Sequence, residues 1–340
     1  MSGLFARLLR LLCVLCIAVL AGSAGIGSAS AAADGAVNMV DDPSAQLQTK
    51  PARLTAHALK AAMLGVAKAG KRIVAVGDHG VVLLSDDGGK SFRQASSVPV
   101  SSTLTGVSFA DDKFGWAVGH WGVVLQTSDG GENWKIQRID SKVDQPLLAV
   151  YFKNRAEGMA VGLWSLMLVT RDGGKSWQVS KLPAPPGGGK TDKNLYSIFA
   201  SKQGSLYLTS EQGVVLRSED DGRTWTYQFT GYKGTFWAGM VLDDGTVLVG
   251  GLRGTIYLSK DRGKTWEAAS TNFKSSITGL VQSGSRIVAS ALDGVSLEST
   301  DGGKTFSGSQ RDDRMALTAI VANDAGGIVK FLENGPASGL

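Results

Sequence analysis

The sequence predicts an all-β fold, a seven-bladed β-propeller made of four-stranded antiparallel blades. One short pattern recurs six times, usually as Asp-x-Gly-x-Ser/Thr-aromatic, and its closing aromatic residues lie at positions 92, 134, 177, 225, 266 and 306. Short runs rich in β-branched and aromatic residues separate the copies. A period of about 40 to 50 residues with strands in between is typical of propeller blades.

The amino terminus predicts a cleaved signal peptide over residues 1–33. Arg7 and Arg10 form a basic segment, residues 11–20 are apolar, and small residues at 29–33 suit signal peptidase. The apolar run is short for a membrane span, although an anchor is the alternative interpretation. We therefore expect an exported protein whose residues 34–340 form a single propeller domain.

Composition excludes several function classes for the mature chain. Both cysteines, Cys13 and Cys16, lie within residues 1–33, so zinc fingers and thiol catalysis are not expected. Without Arg7 and Arg10 the chain has 33 basic and 30 acidic side chains, which does not favour nucleic-acid binding. With only three histidines in the sequence, we expect no metal site and no cofactor.

The second repeat unit shows how one blade is built. Strand-like runs cover residues 104–109, 115–119, 123–127 and 133–137, and most are bounded by Gly or Asp. Glycines at the strand ends allow tight reversals and a close approach of neighbouring blades. The other units repeat the second and third runs closely.

The repeated pattern lies at the turn between the third and fourth strands of each unit. We expect its Asp to accept backbone N–H bonds, its Gly to adopt a left-handed conformation and its aromatic ring to fill the space between sheets. Six copies are too many for one active site, so a structural role is predicted for all of them. These residues are Asp87, Asp129, Asp172, Asp220, Asp261, Asp301, Phe92, Trp134, Trp177, Trp225, Trp266 and Phe306.

A seventh unit is incomplete. Residues 317–322 and 327–332 match the first two strands, and residues 336–340 leave room for part of a third. We expect residues 43–57 to supply the fourth strand, so that the two ends of the chain close the ring and remove an exposed sheet edge. Six blades and an open solenoid are the less favoured alternatives.

The turns between second and third strands are predicted to emerge on one face, around the mouth of the central channel. His79 and His120 occupy the same place in adjacent units. Trp and Arg contribute strongly to protein interfaces, so a partner site is expected on this face. Its predicted residues are His79, His120, Trp121, Trp164, Glu211, Arg253 and Asp293.

Residues 116–120, Trp-Ala-Val-Gly-His, followed by residues 123–131, Val-Val-Leu-Gln-Thr-Ser-Asp-Gly-Gly, carry a resemblance to a known family. The repeats resemble those called Asp-box or BNR repeats, and the whole series resembles the photosystem II stability/assembly factor-like family. That resemblance implies a periplasmic or thylakoid-luminal protein, without catalysis, that binds a membrane protein or envelope complex during its assembly. We further expect a monomer.

Two other functions share this fold. A sialidase-type glycoside hydrolase also carries Asp boxes, but this chain lacks the Arg-Ile-Pro segment that usually supplies the first substrate-binding arginine. A glycan-binding module is the stronger alternative, because Trp121, Trp164 and Trp237 could stack on sugar rings.

Overall fold

The structure is a computed structural model, and it describes residues 50–140 and 142–337. The described chain forms seven sheets in chain order, with antiparallel pairing inside each blade. Blade one consists of β1 (Met63–Ala69), β2 (Arg72–Gly77), β3 (Val82–Ser85) and β4 (Arg93–Gln94). Blade two consists of β5 (Leu104–Phe109), β6 (Gly115–Gly119), β7 (Val124–Thr127) and β8 (Trp134–Arg138). Blade three consists of β9 (Leu147–Phe152), β10 (Gly158–Gly162), β11 (Met167–Thr170) and β12 (Gln178–Val179). The signal peptide predicted over residues 1–33 lies outside the described residues.

Blades four to seven continue the same order. Blade four consists of β13 (Leu195–Ala200), β14 (Leu206–Ser210), β15 (Val214–Ser218) and β16 (Thr226–Phe229), and blade five of β17 (Phe236–Val241), β18 (Val247–Gly251), β19 (Ile256–Ser259) and β20 (Glu267–Ala268). Blade six consists of β22 (Ile277–Ser283), β23 (Arg286–Ala291), β24 (Val295–Ser299) and β25 (Thr305–Gln310). Blade seven consists of β26 (Leu317–Ala322), β27 (Ile328–Leu332) and β28 (Gly335–Pro336). The short β21 (Ser270–Thr271) leaves blade five and pairs in parallel with β25 of blade six.

The blades form a closed ring. The first strand of each blade packs against the first strand of the next, and β26 packs against β1. The first strands are therefore innermost, and the predicted seven-bladed propeller is confirmed. No helix of residues 50–140 and 142–337 has the length and apolar character needed to cross a membrane.

The hydrophobic core lies between the blades. Each of seven clusters of buried side chains joins two neighbouring blades, including the cluster that joins blade seven to blade one. The second strands are buried along most of their length, because both faces of each sheet contact another sheet. This explains why the second and third strands read as continuous apolar runs rather than alternating ones.

Two backbone features recur at the start of the first strands. A β-bulge interrupts the pairing of first and second strands in every blade, as between Leu104 and Gly106 in blade two. The glycine that ends several second strands faces the backbone just before the bulge: a Cβ on Gly119 would lie 2.1 Å from the Thr103 carbonyl oxygen. Only a residue without a side chain fits at that point.

The closure of the ring differs from the sequence expectation in one respect. Residues 50–57, part of the segment 43–57 expected to complete blade seven, form no strand and lie against blade one, where the Ala52 amide donates to the Val98 carbonyl oxygen at 2.9 Å. Residues 43–49 lie outside the described residues. Blade seven has three strands among the described residues. The ring is closed by contacts between blades seven and one, including the edge-to-face pair of Phe92 and Phe331 at 5.4 Å, and by the short 3₁₀ helix Ala58–Lys60, which packs against β28.

Candidate functional site

The turns between second and third strands share one backbone shape. One residue in each has a left-handed conformation, with φ between 53° and 59°, and we call these six positions the turn residues: His79, Trp121, Trp164, Gln212, Arg253 and Asp293. Four of the turns are short 3₁₀ helices, namely Asp78–Gly80, His120–Gly122, Leu163–Ser165 and Leu252–Gly254.

This alignment corrects the register inferred from the sequence. His79 corresponds to Trp121, not to His120, because both have the left-handed conformation. His120 corresponds instead to Asp78, one position earlier. In five of the six turns the side chain at the left-handed position is more exposed than the side chain before it, so the register decides which residues can meet a partner.

Most turn residues are exposed, whereas the residues before them are partly covered. His79, Trp164, Arg253 and Asp293 are exposed, and 48% of Trp164 is accessible. Trp121 is half-buried and packs against the core between blades one and two. Trp121 is therefore more a part of the fold than a free contact residue.

The predicted site residue His120 is held by a carboxylate of the connection between blades two and three. Its Nδ1 lies 3.0 Å from Asp144 Oδ2, and Asp144 Oδ1 accepts the Trp121 amide at 2.7 Å. Burial raises the pKa of Asp144, but its hydrogen bonds with His120 and Trp121 lower it more, so the net pKa lies below the ordinary value. The pair fixes the turn in blade two.

Glu211 has a similar supporting position in blade four. Its Oε1 accepts from Asn194 Nδ2 at 2.8 Å and from the Tyr196 hydroxyl at 3.1 Å. These bonds tie the turn of blade four to the chain that enters the blade. His120 and Glu211 thus hold the backbone of this face, and the exposed turn residues form its outer surface.

The turn of blade three presents its tryptophan at a conformational cost. Trp164 and Ser165 both have positive φ, 53° and 56°, whereas the turns of the other five complete blades have glycine in the second place. The Trp164 amide donates to Asn194 Oδ1 at 2.9 Å, and the Ser165 amide and hydroxyl both donate to the Lys193 carbonyl oxygen at 2.9 Å. Such strain persists where the surroundings hold it in place, and it is concentrated at functional sites.

The turn of blade five presents a cation. Arg253 is exposed, its amide lies 3.4 Å from Ser276 Oγ, and it forms no ion pair with another described residue. Asp293, in blade six, accepts from the Ser275 hydroxyl at 3.1 Å. Hydrogen bonds thus join five turn residues to the connections between blades: Trp121, Trp164, Gln212, Arg253 and Asp293. No hydrogen bond or ion pair joins two of them within the described chain.

The six repeated turns lie at the opposite strand ends and share one network. In the copy of blade five, Ser259 Oγ and the Thr265 amide donate to Asp261 Oδ1 at 2.8 Å, and Thr265 Oγ1 donates to Asp261 Oδ2 at 2.6 Å. The Gly263 amide donates to Ser259 Oγ at 2.7 Å. The same bonds recur around Asp87, Asp172, Asp220 and Asp301, and around Asp129 with Asn133 in the place of the hydroxyl residue.

These bonds account for the acidity of the aspartates. Hydrogen bonds from the side chain and backbone of Thr265 lower the pKa of Asp261 to about 2, and equivalent bonds lower the pKa of Asp172 and Asp220 to about 2. A carboxylate that accepts so many internal bonds supports the structural role proposed for the repeat. Residues 50–140 and 142–337 contain no group of three His, Cys, Asp or Glu side chains that could hold a metal ion.

Comparisons with known proteins agree with the resemblance seen in the sequence. A family model described as photosynthesis system II assembly factor YCF48 matches residues 93–245, a little under half of the chain. No curated protein matches. The resemblance to photosystem II assembly factors is therefore confirmed through the family model.

Solved structures show the same fold. A structure of YCF48 bound to a D1 peptide is 18% identical, with a TM-score of 0.67, over 84% of this chain and 94% of that one. YCF48 from Cyanidioschyzon merolae is also 18% identical, with a TM-score of 0.65, over 84% of this chain and 96% of that one. At this identity the similarity shows the architecture.

Proposed function

We propose that this protein is a non-catalytic propeller that binds a membrane protein or envelope complex during its assembly or stabilisation. We place it in the periplasm, or in the thylakoid lumen if the host is photosynthetic, and as a single domain over residues 34–340 that acts as a monomer. The observation that carries the proposal is the match of residues 93–245 to the assembly-factor family model. The similar YCF48 structure with a bound D1 peptide supports a polypeptide ligand for this fold.

The turn residues are the surface that we assign to the partner. Trp164 supplies an exposed aromatic ring and Arg253 an exposed cation, the residue types that contribute most to protein interfaces. Val143, on the connection between blades two and three, adds an apolar side chain with 52% exposure. We place Trp121, His120 and Glu211 beneath this surface as supporting residues.

The test is capture of membrane proteins from gently solubilised envelope by the full chain and by the double variant Trp164→Ala/Arg253→Ala. We expect the double variant to lose at least about tenfold in recovery of the partner, with a stability within about 0.5 kcal/mol of the parent because both side chains are exposed. The matched control is Ile136→Ala, which removes an exposed apolar side chain from β8, away from the turns.

Two other outcomes would contradict the proposal, one on the location of the interface and one on the kind of ligand. Equal recovery by parent and double variant would show that the turn residues are not the interface. Recovery of no membrane protein, together with retention on a glycan array that is lost in Trp164→Ala, would favour the glycan-binding alternative.

A further inference from the structure

The β-bulges of the first strands place one residue of each blade at the mouth of the central channel. Each bulge skips a single residue of the pairing; in blade five, Phe236 pairs with Gly251 and Ala238 with Gly250, and Trp237 pairs with no residue of β18. The first strands are innermost, and each bulge lies at the strand end nearest the turn residues. The seven skipped residues therefore surround the channel on the face of the turn residues. Bulges are frequent beside functional sites, where they re-aim a side chain.

The skipped residues carry no charge, and most of them are apolar. Three are threonines whose hydroxyls donate to backbone carbonyl oxygens of the same or the next blade, namely Thr105, Thr278 and Thr318. The other four have large side chains, and all four are half-buried: Leu64, Leu148, Tyr196 and Trp237. Three of these large residues belong to the consecutive blades three, four and five. We call Leu148, Tyr196 and Trp237 the apolar arc.

The apolar arc is not part of the core between blades. Neither Leu148 nor Trp237 belongs to any of the seven clusters of buried side chains. The Trp237 indole N–H donates to no described residue, whereas Trp134 and Trp266 donate theirs to glycine carbonyl oxygens of their own turns. A half-buried indole with an open donor suits a protein interface, where tryptophan contributes strongly to binding.

Hydrogen bonds connect the apolar arc to the surface already assigned to the partner. The Tyr196 hydroxyl and Asn194 Nδ2 both donate to Glu211 Oε1, at 3.1 and 2.8 Å. Asn194 Oδ1 in turn accepts the Trp164 amide at 2.9 Å. The exposed Trp164 and the channel mouth thus belong to one continuous surface.

Two lysines lie beside the turn of blade five, near the Trp237 end of the arc. The Tyr232 hydroxyl donates to the Leu252 carbonyl oxygen at 3.0 Å, which places the next residue, Lys233, close to this turn. A Cβ on Gly254 would lie 3.4 Å from the Lys274 Cα, which places Lys274 on another side of the same turn. With the turn residue Arg253 they form a group of three cations, and we call Lys233, Arg253 and Lys274 the basic rim.

The basic rim has an excess of positive charge. All three side chains are exposed, and none forms an ion pair with a described residue. Asp293 lies nearby, because it accepts from the hydroxyl of Ser275, the residue after Lys274, and it offsets one of the three charges. Electrostatic complementarity therefore favours acidic groups on a molecule that docks here.

We propose that the apolar arc binds an apolar side chain of a polypeptide segment, and that acidic residues next to this side chain lie against the basic rim. The uncharged channel mouth selects the apolar anchor, and the cations beside it select the acidic flanks. This inference rests on the proposed function, because it states the chemistry of the segment through which the partner docks. It adds the skipped residues of the bulges to the turn residues as contact groups.

The test measures peptide binding directly, so its outcome does not depend on capture of a partner. The probe is a labelled, end-blocked peptide of sequence Gly-Asp-Leu-Phe-Glu-Gly, and its match has Ser in the place of Phe. Fluorescence anisotropy is measured with the full chain, with Trp237→Ala and with the conservative variant Trp237→Phe. The control is Ile136→Ala, which removes an exposed apolar side chain from β8.

We expect the Phe peptide to bind Trp237→Ala at least about tenfold more weakly than the parent, with Trp237→Phe and Ile136→Ala within about threefold. The Ser peptide should bind more weakly, and the parent and Trp237→Ala should bind it alike, because its anchor is absent. A loss of folding would weaken both peptides equally. Equal binding of the two peptides to the parent, equal weakening of both by Trp237→Ala, or no binding of the Phe peptide at about 1 mM would overturn the proposal.

Charge reversal tests the basic rim. Lys274→Glu should bind the acidic peptide more weakly, and should bind a peptide with Lys in the place of Asp and Glu more tightly than the parent does, which also shows that the variant is folded. Equal affinity of the parent for the acidic and the Lys peptides would overturn the acidic flanks. Capture of a membrane protein without peptide coupling at Trp237 would refute this inference alone. Peptide coupling without capture of any membrane protein would refute only the proposed function.

Discussion

Replacing Trp134 with alanine tests the role of the repeated aromatic residues in the fold. Trp134 closes the repeated turn of blade two and is only 3% exposed. Its ring packs in the cluster between blades one and two, 6.3 Å from Phe109 in an edge-to-face arrangement, and its Nε1 donates to the Gly131 carbonyl oxygen at 2.8 Å. The substitution therefore removes both a blade contact and a turn contact.

The expected loss can be estimated from the buried area. A buried Trp side chain covers roughly 150–250 Å². At about 25 cal/mol per Å² this corresponds to about 4–6 kcal/mol, and alanine retains a part of it. We expect Trp134→Ala to reduce the free energy of unfolding by about 3–5 kcal/mol, in the range measured for Trp in other cores.

The assay is urea unfolding followed by both tryptophan fluorescence and far-UV circular dichroism, whose coincidence checks for a two-state transition. The control is Lys135→Ala, which changes the adjacent exposed residue and should alter stability by less than about 0.5 kcal/mol. A loss below about 1 kcal/mol for Trp134→Ala, at an unchanged urea dependence, would refute the view that these rings hold neighbouring blades together.

Three further predictions concern the turns and the ring closure. Hydrogen bonds lower the pKa of Asp261 to about 2 in the folded state, so the contribution of its carboxylate to the free energy of unfolding should be fully present above about pH 4 and should decrease as the pH approaches about 2. The urea midpoint of Asp261→Asn should therefore depend less on pH in this window than the midpoint of the parent. Gly119→Ala should cost about 1–3 kcal/mol, because the new Cβ would lie 2.1 Å from the Thr103 carbonyl oxygen; an unchanged melting temperature would contradict this. Asn323→Ala should cost about 1–2 kcal/mol, because Asn323 Nδ2 donates to the Gly88 carbonyl oxygen at 2.9 Å between blades seven and one, and Asn323→Asp serves as a comparison that keeps the acceptor atom.

The sequence determined the architecture because the repeat acts locally. Each copy specifies its own turn through an aspartate and a hydroxyl residue that bond within about six residues, as Asp261 and Thr265 do. The period then determines the number of blades. For this reason the fold class, the repeated turns and the apolar second strands were all predictable without coordinates.

The tertiary structure decided which residues reach solvent and how the ring closes. The register of His79 with Trp121 depends on backbone φ, and Trp121 differs from Trp164 in exposure because it packs on a neighbouring blade. The path of residues 50–57 depends on contacts such as that of the Ala52 amide with the Val98 carbonyl oxygen, and the junction of blades seven and one depends on contacts such as that of Asn323 with Gly88, more than 200 positions apart in the chain. Local sequence patterns specify turns and strands, whereas such long-range contacts are settled only when all the blades pack together.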